Sequence, residues 1–348
     1  MFDTEYNILF AFFTSLIVTF VTIPKVIFFS EKFRLSDVPG DRASHNRSIP
    51  IFGGIAIFAG IIFSLIFWGR LDGIQFILAS LFIVFFVGVI DDLLSLTPFR
   101  KLIGQVFAIL VVIYLAEIQI DSMHGVLGID NRLSDFIATL FTIFVVVVIT
   151  NAVNLIDGAD GLAGGLAFIS SFCFGVAALL MNDLDMALIA FSLTGSLLAF
   201  LRYNFSPARI FMGDTGSLLV GMILSILAIN LVRTGLVTDT INFPKKGPLL
   251  AMAFLSIPLF DSLRVFLTRI RKGHHPLYPG REHVHHALLD LGIGHKKTAV
   301  ILYLTSVGLI ASSYFLINLN INIGIAILAV ISFIILITPF YLLRKRKK

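Results

Sequence analysis

Apolar runs long enough to cross a bilayer recur from one end of this chain to the other, and they limit the fold more than any other feature. A run of roughly 17–25 apolar residues spans ~30 Å of hydrocarbon as a helix. Inside lipid every backbone polar group must be bonded internally, which leaves only helices and closed barrels. The runs are solidly apolar rather than alternating, which argues against a β-barrel. Of the 348 residues, 57% are hydrophobic and only 14% charged, too little polar surface for a soluble chain of that length. The sequence predicts an all-α polytopic integral membrane protein of about eleven transmembrane helices, a single membrane-embedded domain over residues 1–348.

The expected spans are 7–29, 51–69, 74–90, 101–116, 136–153, 162–181, 186–203, 215–233, 248–268, 298–316 and 321–343. The first run lacks the basic flank and cleavage site of a signal peptide, so it is expected to be a retained span. Connections then alternate between two sides. One side carries Lys32, Arg34, Arg42, Arg47, Arg100, Arg209, Arg269, Arg271, Lys272, Arg281, Lys296, Lys297 and the tail "RKRKK". The other carries only Arg70, Arg132, Lys245 and Lys246, with Arg233 at a span end. The positive-inside bias puts the first set in the cytoplasm, the C-terminus with it and the N-terminus outside. The net charge of +5 is therefore read as sidedness, and no nucleic-acid partner is expected. The lone cysteine, Cys173, has no second thiol in the chain to pair with.

Polar constellations gather on the basic side. In "VVVVITNAVNLIDGADGLAGG", residues 145–165, Asn151, Asn154, Asp157 and Asp160 follow one another at three-residue intervals. That spacing keeps neighbours within reach on a helix, and the glycines allow a tight turn and close approach of a ligand. Asp91 and Asp92 end an apolar span; two adjacent carboxylates there should either share a proton or face a cation. Asp214, in "FMGDTGSLLVG", opens another span, where a plain helix cap is the simplest reading. Beside four other acids on one face it becomes a candidate ligand for a hard cation such as Mg²⁺. In "PGREHVHHALLDLG", Arg281, His283, His285 and His286 offer donors to phosphate oxygens; in a helix His283 and His286 would share a face. Arg42 and His45 suit phosphates or anionic headgroups, and Gly53 and Gly54 suit close helix packing. Acids for a cation and Arg/His for phosphate, at one edge of an apolar core, fit a reaction between a water-soluble activated phosphate and a lipid phosphate.

"GVIDDLLSL", "NAVNLIDGADGLAGG", "FMGDTGSL" and "HVHHALLDLG" resemble, in order and spacing along nearly the whole chain, the signatures of the polyprenyl-phosphate N-acetylhexosamine-1-phosphate transferases, of glycosyltransferase family 4 type. "DVPGDRASHNRSIPIFGG" is similar to that family's first cytoplasmic loop, departing at Ala43, where a lysine is expected after Arg42. The resemblance implies transfer of GlcNAc-1-phosphate from UDP-GlcNAc to undecaprenyl phosphate with release of UMP, in the bacterial inner membrane, dependent on Mg²⁺ with Mn²⁺ as a substitute. It makes Asp91 the base or activator of the lipid phosphate, with Asp92 setting metal and charge. It makes Asn154 and Asp214 metal ligands. Asn151, Asp157, Asp160, Arg281, His283, His285, His286, Arg42 and His45 would bind substrate. A homodimer is compatible with it. The histidine segment looks more like the GlcNAc branch than the phospho-MurNAc-pentapeptide transferases. An ion-coupled transporter, the competing class, would place acids near the midplane and in repeats; here they gather at one face and no repeat is visible.

Overall fold

The computed structural model describes residues 4–33, 36–37, 49–234, 246–273 and 280–346. Arg42 and His45 lie outside the described residues. Thirteen α-helices run through the described chain: α1 (Thr4–Lys32), α2 (Gly53–Trp68), α3 (Leu71–Leu94), α4 (Pro98–Tyr114), α5 (Asp135–Leu155), α6 (Leu162–Leu180), α7 (Leu184–Asn204), α8 (Gly213–Thr234), α9 (Gly247–Phe254), α10 (Ser256–Arg271), α11 (Val284–Asp290), α12 (His295–Leu316) and α13 (Ile321–Arg346). Ten of the eleven expected spans each fall on a single one of these helices. Eight helices meet the length and apolarity needed to cross a bilayer by themselves. The helices α2 and α4 are shorter, at 16 and 17 residues.

The ninth expected span, 248–268, is not one helix. It is split into α9 and α10, which meet at 81°. Pro258 explains the break: it has no N–H to donate to the carbonyl of Phe254, and its ring crowds that carbonyl. The freed oxygen accepts instead from Ser170 Oγ of α6 at 2.6 Å. A broken backbone is tolerated in a membrane protein when a neighbouring helix satisfies it in this way.

The almost wholly buried α8 is the axis of the bundle. It packs against α2, α3, α5, α6, α7 and α9. Gly54 of α2 lies so close that a Cβ there would come within 2.2 Å of the Gly216 nitrogen of α8. On the outer side, α1, α2 and α7 are joined by hydroxyl pairs, Ser64 to Ser192 at 2.7 Å and Thr19 to Ser196 at 3.1 Å. Small polar residues of this kind let helices approach where lipid gives no hydrophobic drive to associate. The second layer, α12 and α13, covers α6, α9, α10 and α11. Large apolar side chains such as Phe144, Leu304 and Ile334 face outward, as a lipid-facing surface requires.

Candidate functional site

The motif "DDLLSLTPFRK" folds back on itself at the end of α3. Ser95 adopts a left-handed conformation and closes the helix, and Thr97 with Pro98 opens α4. The Leu96 N–H donates to Asp91 Oδ1 at 2.8 Å. One turn into α4, Lys101 reaches back and sets its Nζ 2.9 Å from Asp91 Oδ2 and 2.6 Å from Asp214 Oδ1.

The two adjacent aspartates therefore do different things. Asp91 faces the Lys101 cation, whereas Asp92 turns to the N-terminus of α8. There it accepts from the backbone N–H groups of Asp214 and Thr215 at 2.8 and 2.9 Å, and from the Thr215 hydroxyl. These are the orphan donors that a helix start always presents, and a carboxylate is favoured at that end. The cap of α8 thus comes from α3, and Asp214, inside the first turn, is not the cap. Its carboxylate is free to meet Lys101 and the Asn154 amide, which also donates to Ser217 Oγ at 2.8 Å.

α5 ends at Leu155, so the polar stripe expected to run on through Asp157 is cut short. Asn151 donates to the Val147 carbonyl of its own helix at 2.7 Å. Beyond the helix end, residues 156–161 form a tight loop. Gly161 has φ +75°, its N–H donates to Asn204 Oδ1 at 3.0 Å, and its carbonyl accepts from the Tyr303 hydroxyl. Asp160 accepts from the Ala208 N–H at 3.1 Å and lies 3.6 Å from His295 Nδ1. Burial pushes the Asp157 carboxyl up to about 7, helped by the charges of Asp214, Asp92 and Asp160.

The histidine segment is held from below by Asp261 of α10, a fully buried carboxylate. Arg264 donates to it at 2.7 and 3.2 Å, His283 Nδ1 lies 2.8 Å away, and the Val284 N–H at the start of α11 donates at 3.1 Å. His283 is the residue before the helix, in extended conformation, so it does not share a helical face with His286 as expected. The three imidazoles instead form a row, His283 to His285 at 5.8 Å and His285 to His286 at 4.2 Å between ring centroids. The His285 ring lies against Gly158, where a Cβ would come within 2.3 Å of Nε2. Both ring nitrogens of His285, Nε2 of His283 and Nδ1 of His286 are buried without a hydrogen-bond partner among the described residues. Burial pushes His285 down to about 3, and burial with the nearby Arg281 charge pushes His286 down to about 4, so both rings are neutral at pH 7. Arg281 pairs with Asp290 at 3.1 Å, exposed at the edge of this segment.

The ends of α3 and α5 and the starts of α4, α6 and α8 thus share one end of the bundle. Lys101, His295, Asp261, Arg264, Asn204 and Tyr303 are the members that motif reading overlooked. Asp261 and Arg264 carried a usable signal, since an ionisable pair inside an apolar helix is rarely idle. Lys101 carried a weaker one, a cation at the mouth of a span close after a pair of acids. Among the described residues no three His, Cys, Asp or Glu side chains are grouped to hold a metal. The Lys101 ammonium and the Asn154 amide converge on Asp214 Oδ1.

The fold and this site define a polytopic helical membrane protein with a polar, acid-rich site at one end of its bundle. The sequence profile of glycosyl transferase family 4 matches residues 74–232, the stretch that supplies both halves of the acid cluster. The undecaprenyl-phosphate alpha-N-acetylglucosaminyl 1-phosphate transferase of Haemophilus influenzae is 30% identical over 287 residues, 81% of this chain and 80% of that protein. Proteins of the same name from Escherichia coli and Yersinia pestis are 28% and 26% identical, covering 86% and 79% of this chain and 83% and 75% of their own length. The chain belongs to glycosyl transferase family 4.

Proposed function

We propose that this protein transfers GlcNAc-1-phosphate from UDP-GlcNAc to undecaprenyl phosphate, releasing UMP. The observation that carries this reading is the meeting, at one end of an apolar bundle, of an acid cluster with a row of buried imidazoles whose nitrogens lack partners. The names of its relatives support the same acceptor and sugar. The lipid phosphate oxygen attacks the phosphorus that bears the sugar, a new P–O bond forms, the bond to the UMP phosphate breaks, and UMP leaves with the electron pair. A phosphate monoester is already a nucleophile, so direct displacement needs no covalent enzyme intermediate.

Asp91 would take a proton from the lipid phosphate. Lys101 holds Asp91 and Asp214 together and offsets part of their charge. Mg²⁺, when bound, would be held by Asp214 and Asn154 and would supply charge neutralisation to the diphosphate. The partnerless imidazole nitrogens would face diphosphate oxygens, the neutral His285 and His286 rings each offering one N–H donor. Asp157 and Asp160 would position the nucleotide sugar from the opposite wall. The acids sit at helix ends, which supports an edge site with one substrate in lipid and the other in water, rather than a midplane transport path.

The basic residues put this end of the bundle in the cytoplasm, with the protein in the bacterial cytoplasmic membrane. A C-terminal alkaline phosphatase fusion should be inactive; an active one would reverse the topology. The deciding assay gives purified protein radiolabelled UDP-GlcNAc or UDP-MurNAc-pentapeptide with undecaprenyl phosphate and Mg²⁺. Label should enter lipid from the first donor far faster than from the second. Equal or reversed turnover rejects the branch, and no transfer from either rejects the reaction.

A further inference from the structure

A groove of about 810 Å³ lies between α10 and α13. Its α13 wall is built by Phe333, Ile337, Phe340 and Tyr341, spaced to form one stripe along the helix. Leu267 of α10 faces the same space. At its mouth stand Arg271 and Arg344, near the ends of their helices and beside the basic tail.

Most of the other charges here are engaged. Arg264 is bonded to Asp261 and lies over the Phe340 ring at 4.2 Å. Lys272 pairs with Glu282 at 2.6 Å, and Arg281 with Asp290. Arg271 and Arg344 are exposed and have no ion-pair or hydrogen-bond partner among the described residues. Phe333 to Arg344 covers about 16 Å of helix, so the groove runs from deep apolar surface to a doubly cationic mouth. This is the shape and charge of an amphiphile with a single anionic head and a long apolar tail.

We propose that this groove binds an anionic glycerophospholipid of the surrounding bilayer, its phosphate between Arg271 and Arg344 and an acyl chain along Phe333 and Ile337. The reacting lipid is a poor fit for the place. The acid cluster is built on α3, α4, α5 and α8, whereas α13 packs on α9, α10, α11 and α12. A lipid seated here would brace α10, whose Asp261 carries the histidine segment, without entering the reaction.

The test is native mass spectrometry of the full-length protein in mild detergent, titrated with dioleoylphosphatidylglycerol or dioleoylphosphatidylcholine. The wild type should prefer phosphatidylglycerol by about 30-fold, the effect of two cations near a headgroup. Arg271→Gln with Arg344→Gln should bring the two lipids within threefold. Ile337→Trp fills the groove without altering charge and should weaken both lipids. The proposal is overturned if the double variant keeps its preference, or if Ile337→Trp binds phosphatidylglycerol as the wild type does. It is equally overturned if undecaprenyl phosphate displaces the bound phosphatidylglycerol mole for mole. The readout is binding, so a failure to transfer sugar phosphate leaves this result intact.

Discussion

At the junction of α3, α4 and α8 nearly every polar group has a partner: Asp91 has Lys101 and the Leu96 N–H, Asp92 has the start of α8, and Asp214 has Lys101 and Asn154. At α10 and α11 the pattern is split. Asp261 is saturated by Arg264, His283 and the Val284 N–H, yet the imidazole nitrogens beyond it are buried and partnerless. Leaving a buried polar group unpaired costs about 1–3 kcal/mol each. The difference separates a cluster whose carboxylates are paired within the chain from one that leaves buried imidazole nitrogens without a partner among the described residues.

The largest expected effect tests the paired cluster. Asp214→Asn keeps the size and most of the hydrogen-bonding shape but removes a negative charge that Lys101 and Asn154 converge upon. Turnover should fall at least ~100-fold, as losses of charge stabilisation commonly do, while yield and melting temperature change little. Initial rates against Mg²⁺ concentration would show it. A folded variant with near-normal rate and unchanged Mg²⁺ dependence would take Asp214 out of the chemistry.

Asp261→Asn probes the support of the second region. It strands the Arg264 guanidinium in a buried place without its counter-charge, a loss of roughly 3–5 kcal/mol when one partner of a buried pair is removed. A marked drop in melting temperature should accompany a raised KM for the nucleotide sugar. If stability falls and KM holds, the histidine row is not positioned by Asp261.

Gly158→Ala acts at the contact between the two regions. The new methyl would displace the His285 ring, since no side chain fits at 2.3 Å from its Nε2. A KM for the nucleotide sugar raised about tenfold, with the acceptor KM unchanged, is the expected outcome of a small misplacement. Shifts below twofold would remove His285 from the binding surface.

The smallest effect is a pH dependence. Burial and the neighbouring acids raise Asp157 to about 7 from an ordinary 3.8. Between these values the folded chain keeps a proton that the unfolded chain has lost, so stability falls as pH rises through that window. The contribution is complete below the unfolded value and gone above about 7. Asp157→Asn cannot titrate. Measured in chelator, its melting temperature should gain on the wild type by a few degrees from pH 5 to pH 8. A constant difference over that range would mean that Asp157 is ionised throughout.

Ten of the eleven expected spans each fell on a single helix, because lipid imposes one backbone solution on any long apolar run. Periodicity could not see the 81° break between α9 and α10. Both halves are apolar, and the break depends on Ser170 being present to satisfy the Phe254 carbonyl. The motifs located the acids and histidines, and their composition limited what chemistry those groups could serve. They gave Asp91 and Asp92 different roles but not their partners: adjacent in sequence, the two turn to Lys101 on α4 and to the start of α8. Nor did they place His283 before its helix or set His285 against Gly158. Composition and spacing determine which groups stand near the membrane edge, because hydrophobic length and charge are properties of the chain itself. Which carboxylate caps, which meets Lys101 and which imidazole nitrogens are buried without a partner among the described residues were decided only by the tertiary structure. A hydrogen bond needs its partner within about 3 Å, and here those partners come from helices far apart in sequence.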